Sequence, residues 1–85
     1  MNKIISKEQF SEKVFCIVVE APLIARSCRA GNFIIVRVDQ NSERVPYTIA
    51  KADPEKGTLT MVIQEVGLSS TKLCQLEPGD EVLDI

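Results

Sequence analysis

Histidine is absent from this chain, so no serine or cysteine triad can be assembled from it, and no pair of carboxylates stands in a context suited to acid–base catalysis. Cysteine is sparse. Cys16, Cys28 and Cys74 sit at wide spacings without a Cys-x-x-Cys pair, which argues against a zinc or iron–sulfur site and for free thiols in a reducing compartment. Long hydrophobic runs are also missing. Val14 to Val19 and Phe33 to Val36 fall far short of the roughly 20 residues needed to cross a bilayer, and the N-terminus has no signal-peptide apolar region. No membrane association and a cytoplasmic location are therefore expected. Charge of one sign is lacking as well: twelve acidic and ten basic residues are mixed along the chain to a net −2, leaving no basic stripe for nucleic acid.

What is present suits one small globular unit. With 85 residues there is room for a single core, and 45% hydrophobic with 26% charged residues is ordinary for a folded domain. Short β-branched and aliphatic runs separated by turn formers predict five or six strands. The first covers about Lys3 to Phe10, although Ser6 and Gln9 could instead form a capping box. Lys13 to Glu20 is apolar on both faces, as in a strand covered on both sides. Pro22 ends it, and Leu23 to Arg29 reads as an irregular crossing or a single helical turn. Phe33 to Asp39 and Val45 to Ala52 are the next strands, with Pro46 marking an edge, a bulge or a strand start. Asp53 to Gly57 is a hairpin loop before Thr58 to Val66, where Leu59, Met61 and Ile63 share a face. Ser69-Ser70-Thr71 opens a short helix near Ser70 to Leu76, and a last strand runs from Glu81 to Ile85. The expected core comprises Val14, Ile17, Val19, Ile35, Val36, Ile49, Leu59, Met61, Ile63, Leu73 and Val82.

Without catalytic side chains, chemistry would have to come from a cofactor, and two segments are suited to hold one. Arg44-Val45-Pro46-Tyr47-Thr48 offers a guanidinium for phosphate, an aromatic ring and a hydroxyl; on a regular strand Arg44, Pro46 and Thr48 share one face and Tyr47 the other. Gly67-Leu68-Ser69-Ser70-Thr71 offers a helix N-terminus, whose free N–H groups and dipole favour an anion. Taken singly, each segment also fits a surface arginine beside a half-buried tyrosine, or an ordinary helix cap.

The order Ala21-Pro22-Leu23, Ala30-Gly31-Asn32-Phe33, Arg44-x-Pro46-Tyr47-Thr48-Ile49, Gly67-Leu68-Ser69-Ser70-Thr71 and Pro78-Gly79-Asp80 resembles, end to end, the flavin domain of the ferredoxin reductase superfamily. The likeness is to the α subunits of NAD-dependent ferredoxin–NADP oxidoreductases and the electron-transfer subunits of dihydroorotate dehydrogenases. It implies an all-β fold: a six-stranded antiparallel Greek-key barrel with one short helix, spanning residues 1–85 and truncated before an NAD(P)-binding domain.

The resemblance further implies FAD. The segment Arg44 to Thr48, Pro46 included, would contact it: Arg44 would approach the pyrophosphate, Tyr47 would border the flavin, and Thr48 would reach the isoalloxazine edge. Gly67, Ser70 and Thr71 would bind the pyrophosphate through backbone and hydroxyl groups, while Ile63, Gln64 and Glu65 would line the ribityl and adenine side through main chain. The commoner pattern of the superfamily is Arg-x-Tyr-Ser; here the arginine lies four residues before the hydroxyl with a proline between. The implied activity is oxidoreductase electron transfer between NAD(P)H and an iron–sulfur partner subunit or ferredoxin, with dihydroorotate oxidation as the alternative. The isolated chain would be inactive, would hold FAD weakly and could self-associate. A small barrel serving as an interaction module without flavin is the reading from a different class.

Overall fold

The computed structural model describes residues 2–83 and 85. Five strands, β1 (Ile4–Ser11), β2 (Val14–Glu20), β3 (Phe33–Val36), β4 (Val45–Asp53) and β5 (Thr58–Gln64), form one antiparallel sheet in the order β1-β2-β5-β4-β3. Three hairpin-connected strands with a fourth lying beside the last of them make β2-β5-β4-β3 a Greek key. The chain passes from β2 to β3 through helix α1 (Pro22–Ser27) and ends, after β5, in helix α2 (Leu68–Gln75) and an extended tail.

Three expectations need correction. There are two short helices rather than one, because Pro22 enters α1 at its start, where a missing N–H costs nothing. The sheet is open rather than a closed six-stranded barrel. Among the described residues the expected last strand, Glu81 to Ile85, makes a single antiparallel bridge, Glu81 to Lys3, and Asp84 within it lies outside the described residues. The tail nevertheless bonds both sheet edges: Val82 N–H donates to Asn2 O at 3.0 Å, and Leu83 N–H donates to Arg37 O and Val38 O, each at 3.0 Å.

The core holds Ile17, Val19, Val36, Ile49, Leu59, Met61, Ile63, Leu73 and Val82, as expected, together with Ile4, Ala21, Ala25, Ile34, Val38 and Cys74. Ile35 is the third correction. In β3 it is Ile34 and Val36 that face inward, while Phe33 and Ile35 are 65% and 47% exposed. A four-residue apolar run carries no alternation, so its facing is fixed only by pairing with β4, in the register Phe33–Thr48 to Val36–Val45. Val14 is half-buried at the end of β2.

The β4–β5 hairpin is anchored tightly. Asp53 Oδ1 accepts the N–H groups of Glu55 and Lys56, both at 3.1 Å, and Gly57 N–H returns to Asp53 O at 2.8 Å. Gly57 sits in the left-handed region at φ 69, and a Cβ there would lie 2.9 Å from Pro22 Cβ and 3.2 Å from Pro22 Cα. Gly57 O in turn accepts the N–H of Ala21 at 2.9 Å, so this turn and the start of α1 hold each other.

Candidate functional site

Strand β4 divides between two partners. Ile49 to Asp53 pair with β5, from Ile49–Met61 to Asp53–Thr58, whereas Val45 to Thr48 pair with β3. The pairing with β5 carries a bulge between Ile49 and Lys51, which sharpens the local twist and turns the first half of the strand away. Pro46, with no N–H to give, stands in the half that β5 does not bind. A wedge opens between Val45–Tyr47 and the end of β5, and the N-terminus of α2 enters it.

The resulting groove, about 380 Å³, is lined by Pro46 and Tyr47 on one side and by Gln64 and Val66 to Ser70 on the other. At one end it meets a concavity of about 350 Å³ formed by Phe33, Pro46, Tyr47 and Thr48. At the other it meets a smaller one of about 160 Å³, formed by the turn Asn41 to Glu43 and by Leu68, Ser69 and Lys72. Shared lining residues join the three into one trough: Pro46 and Tyr47 at the first junction, Glu43, Leu68 and Ser69 at the second.

Burial along the strand alternates as strand geometry requires. Arg44, Pro46 and Thr48 are exposed, Val45 and Tyr47 half-buried, and Ile49 buried. The Tyr47 ring thus forms part of the trough wall while packing against the core. Its hydroxyl is buried without a hydrogen-bond partner among the described residues, and burial, with a smaller contribution from Cys74, pushes its pKa up. Cys74 is on the buried face of α2. Its thiol is raised to about 11, mainly by burial and then by the Glu65 carboxylate, against a smaller opposing effect of Lys7.

The N-terminus of α2 is organised by Ser70. Helix α2 starts at Leu68 with Gly67 as its N-cap, two residues earlier than expected. Because glycine has no side chain to cap with, Ser70 Oγ reaches back instead. It accepts the N–H of Val66 at 3.0 Å and of Gly67 at 2.9 Å, and donates to Gly67 O at 3.1 Å. Thr71 N–H closes the first helical bond onto Gly67 O at 2.9 Å. The amides of Leu68, Ser69 and Ser70 precede that first bond and so belong to the set that a helix leaves unsatisfied.

Of the ten residues expected at a site, Pro46, Tyr47, Thr48, Gln64, Gly67 and Ser70 line the trough. Four stand apart from its walls. Ile63 is 1% exposed and belongs to the core, and the Glu65 N–H is spent on Lys13 O at 2.7 Å. Thr71 is half-buried behind the first turn, and Arg44 is exposed next to the wall residues Glu43 and Val45. The Ser70 hydroxyl is occupied by backbone, so what it can offer a ligand is the orientation of the loop. Sequence reasoning missed Phe33, Glu43 and Val66, while Leu68 and Ser69 lie in the Gly67 to Thr71 segment it singled out without being named as contacts. Val66 and Leu68, 75% and 76% exposed on either side of Gly67, were legible as apolar residues flanking a turn; Phe33 required the β3–β4 register.

The chemistry of the trough changes along its length: exposed ring and hydroxyl at the Phe33 end, backbone amides in the middle, polar side chains at the Lys72 end. An elongated ligand with a flat ring and an anionic centre fits this order. Among the described residues no group of three or more His, Cys, Asp or Glu could hold a metal ion, and no helix is long and apolar enough to cross a membrane.

The fold and sequence have clear relatives. A solved structure of an NADH-dependent reduced ferredoxin–NADP oxidoreductase, studied for flavin-based electron bifurcation, superposes with a TM-score of 0.95 at 33% identity, over 99% of this chain and 30% of that one. The electron-transfer subunit homologue of dihydroorotate dehydrogenase B from Thermotoga maritima is 33% identical over 85 residues, all of this chain and 30% of the relative. Along nearly its whole length the chain is thus similar to one part of each of these ferredoxin reductase-like proteins. The electron-transfer subunit of dihydroorotate dehydrogenase B from Shouchella clausii is 30% identical over 82 residues, and an uncharacterised protein of Clostridium beijerinckii is 44% identical over 84. The chain spans 28 to 32% of the length of these curated relatives. No family model matches it.

Proposed function

We propose that this ferredoxin reductase-like domain is the FAD-binding module of a flavoprotein electron-transfer subunit that passes electrons between NAD(P)H and an iron–sulfur partner subunit or ferredoxin. The observation that carries the reading is the trough at the fork of β4, whose ring-and-hydroxyl end and amide-rich centre match the two ends of a flavin–diphosphate unit. FAD, when bound, supplies the redox chemistry. The chain's own residues bind and orient it. Phe33, Pro46 and Tyr47 offer apolar surface to the ring, and Thr48 offers a hydroxyl to its polar edge. The α2 amides, held open by Ser70, receive the pyrophosphate, and Arg44 adds positive charge at its flank.

The unpartnered Tyr47 hydroxyl and the exposed Phe33, Val66 and Leu68 support the view that this face is built to be covered. In the intact protein a nucleotide-binding domain for NAD(P) would cover it, and the segment from Glu81 onward would pair as a sixth strand to complete the barrel. The working compartment of such an oxidoreductase is the cytoplasm. The names of the Thermotoga and Shouchella relatives favour dihydroorotate oxidation as a second reading of the distant half-reaction.

Titration of the intact protein with FAD, followed by quenching of flavin fluorescence, tests the proposal. Arg44→Ala should weaken binding about ten- to a hundred-fold, the worth of one charge-assisted contact. A protein that neither quenches nor shifts the flavin spectrum would overturn the reading in favour of an interaction module.

A further inference from the structure

Helix α2 presents its first amides to the trough, so whatever fixes the direction of its axis also fixes where those amides point. Packing alone does this weakly. The helix is eight residues long, and of its buried residues Ser70, Leu73 and Cys74 only Leu73 is a large apolar side chain. A short helix held at one such point can swivel about it, and a second hold is needed to set its axis.

That hold comes from Lys7, 67 positions before Cys74. On β1, Lys7 stands opposite the fully buried Ile17, so it shares the core side of the sheet, and its side chain is 15% exposed. Its Nζ donates to Cys74 O at 3.0 Å and to Glu77 Oε1 at 2.9 Å, and lies 5.7 Å from the centre of the Phe15 ring. Leu73 O takes the Leu76 N–H at 3.2 Å, and the ammonium takes the next carbonyl. Cys74 O belongs to the terminal carbonyls that a helix leaves without an intrahelical donor, and these form the negative end of its dipole. The ion pair with Glu77 contributes little, because that carboxylate is 68% exposed. The contact with Cys74 O is part-buried and charge-assisted, and it ties the end of α2 to β1.

Ser70 thus organises one end of α2 and Lys7 holds the other, while Lys7 itself lines none of the three concavities. We infer that Lys7 is a positioning residue for the anionic part of the flavin: by capping the C-terminus of α2 it keeps the amides of Leu68, Ser69 and Ser70 aimed into the trough without touching the ligand. The inference rests on the flavin reading of the trough and extends it to a residue at the far end of the helix. Its effect is confined to the anion, because the ring end of the trough is built by β3 and β4.

Titrating the intact protein with FAD and with riboflavin, which carries the ring but no phosphate, tests it. Lys7→Met keeps a long side chain and removes the charge. FAD affinity should fall about three- to tenfold, a fraction of the worth of one charge-assisted hydrogen bond, while riboflavin affinity stays unchanged. Lys7→Arg should recover most of the loss by returning a cation to Cys74 O. Val19→Ala, a core substitution on β2 opposite Leu59, should lower the urea midpoint without moving the ratio of the two affinities. Where Lys7→Met is too unstable to titrate, Lys7→Gln gives the same comparison with a milder change. A destabilised Lys7→Met protein that keeps its FAD affinity, equal losses for both flavins, or a loss that Lys7→Arg does not recover would overturn the inference while leaving the flavin site standing. Binding of neither flavin by the wild type would overturn the flavin reading and this inference with it.

Discussion

Replacing Ser70 with alanine removes the side chain whose hydroxyl bonds the backbone at the start of α2. Its Oγ serves the N–H groups of Val66 and Gly67 and donates to Gly67 O, and the side chain is 7% exposed. Loss of a capping hydroxyl costs about 0.5–2 kcal/mol. Two orphaned amides would add about 1–3 kcal/mol each if sealed from water. Val66 and Gly67 are exposed, however, so water takes over much of that role, and a net loss of about 1–2 kcal/mol is expected. For a domain of this size that is a fall in Tm of roughly 5–15 °C. Unfolding followed by far-ultraviolet circular dichroism measures it, with Ser69→Ala as the neighbouring control, expected within about 0.5 kcal/mol of wild type. FAD affinity should fall in parallel in Ser70→Ala, because the amides lose their alignment although no ligand contact has been deleted. A Ser70→Ala protein as stable as Ser69→Ala would refute the claim that this hydroxyl organises the helix start.

Other perturbations separate packing from site. Gly57→Ala forces a Cβ onto Pro22 at a left-handed φ and should cost about 1–3 kcal/mol in urea unfolding, whereas Gly79→Ala, at φ 97 with no atom within 4 Å, bears the backbone strain alone and should cost less. Leu73→Ala, fully buried where α2 meets the sheet, should lose about 2–5 kcal/mol by the same measurement. Tyr47→Phe removes a buried hydroxyl that has no partner and should raise the stability of the ligand-free protein by about 1 kcal/mol, readable as a higher urea midpoint. Because the Cys74 thiol holds its proton to about pH 11 in the fold and only to about 9 when unfolded, the unfolded chain binds fewer protons in that window. Stability should therefore decline from about pH 9 to 11, and a Cys74→Ala variant should show a shallower decline.

Much of this molecule was legible in the sequence where one physical signal dominated. Alternation in Thr58 to Val66 fixed the facing of Leu59, Met61 and Ile63, and Asp53-Pro54-Glu55-Lys56-Gly57 announced its hairpin. Pro46 correctly marked a break in pairing, but the bulge itself falls between Ile49 and Lys51, where no residue type betrays it. The facing of Phe33 and Ile35 was hidden by an unbroken apolar run, and with it the ring end of the trough. The helix start was misjudged for a simpler reason: Ser69, Ser70 and Thr71 all look like caps, and only the fold reveals that the serine at the third position reaches back to a glycine. Glu43 was invisible because its place in the trough wall depends on a junction between a loop and a helix distant in sequence.

The stitching of the chain's two ends bears on how this domain acquires its structure. Ile4 N–H meets Asp80 O at 2.7 Å, Gly79 N–H meets Ile4 O at 2.8 Å, and Val82 N–H meets Asn2 O, so contacts separated by nearly the entire sequence close the same corner. The β3–β4–β5 meander can form from neighbouring residues alone, whereas that corner must wait until the loop-closure entropy of the whole chain has been met. The corner is therefore expected to form late in folding and to open early. Among the hydrogen-bonded amides, exchange should be faster at Ile4, Gly79, Val82 and Leu83 than at Ile17, Leu59 and Met61, which lie at the centre of the core.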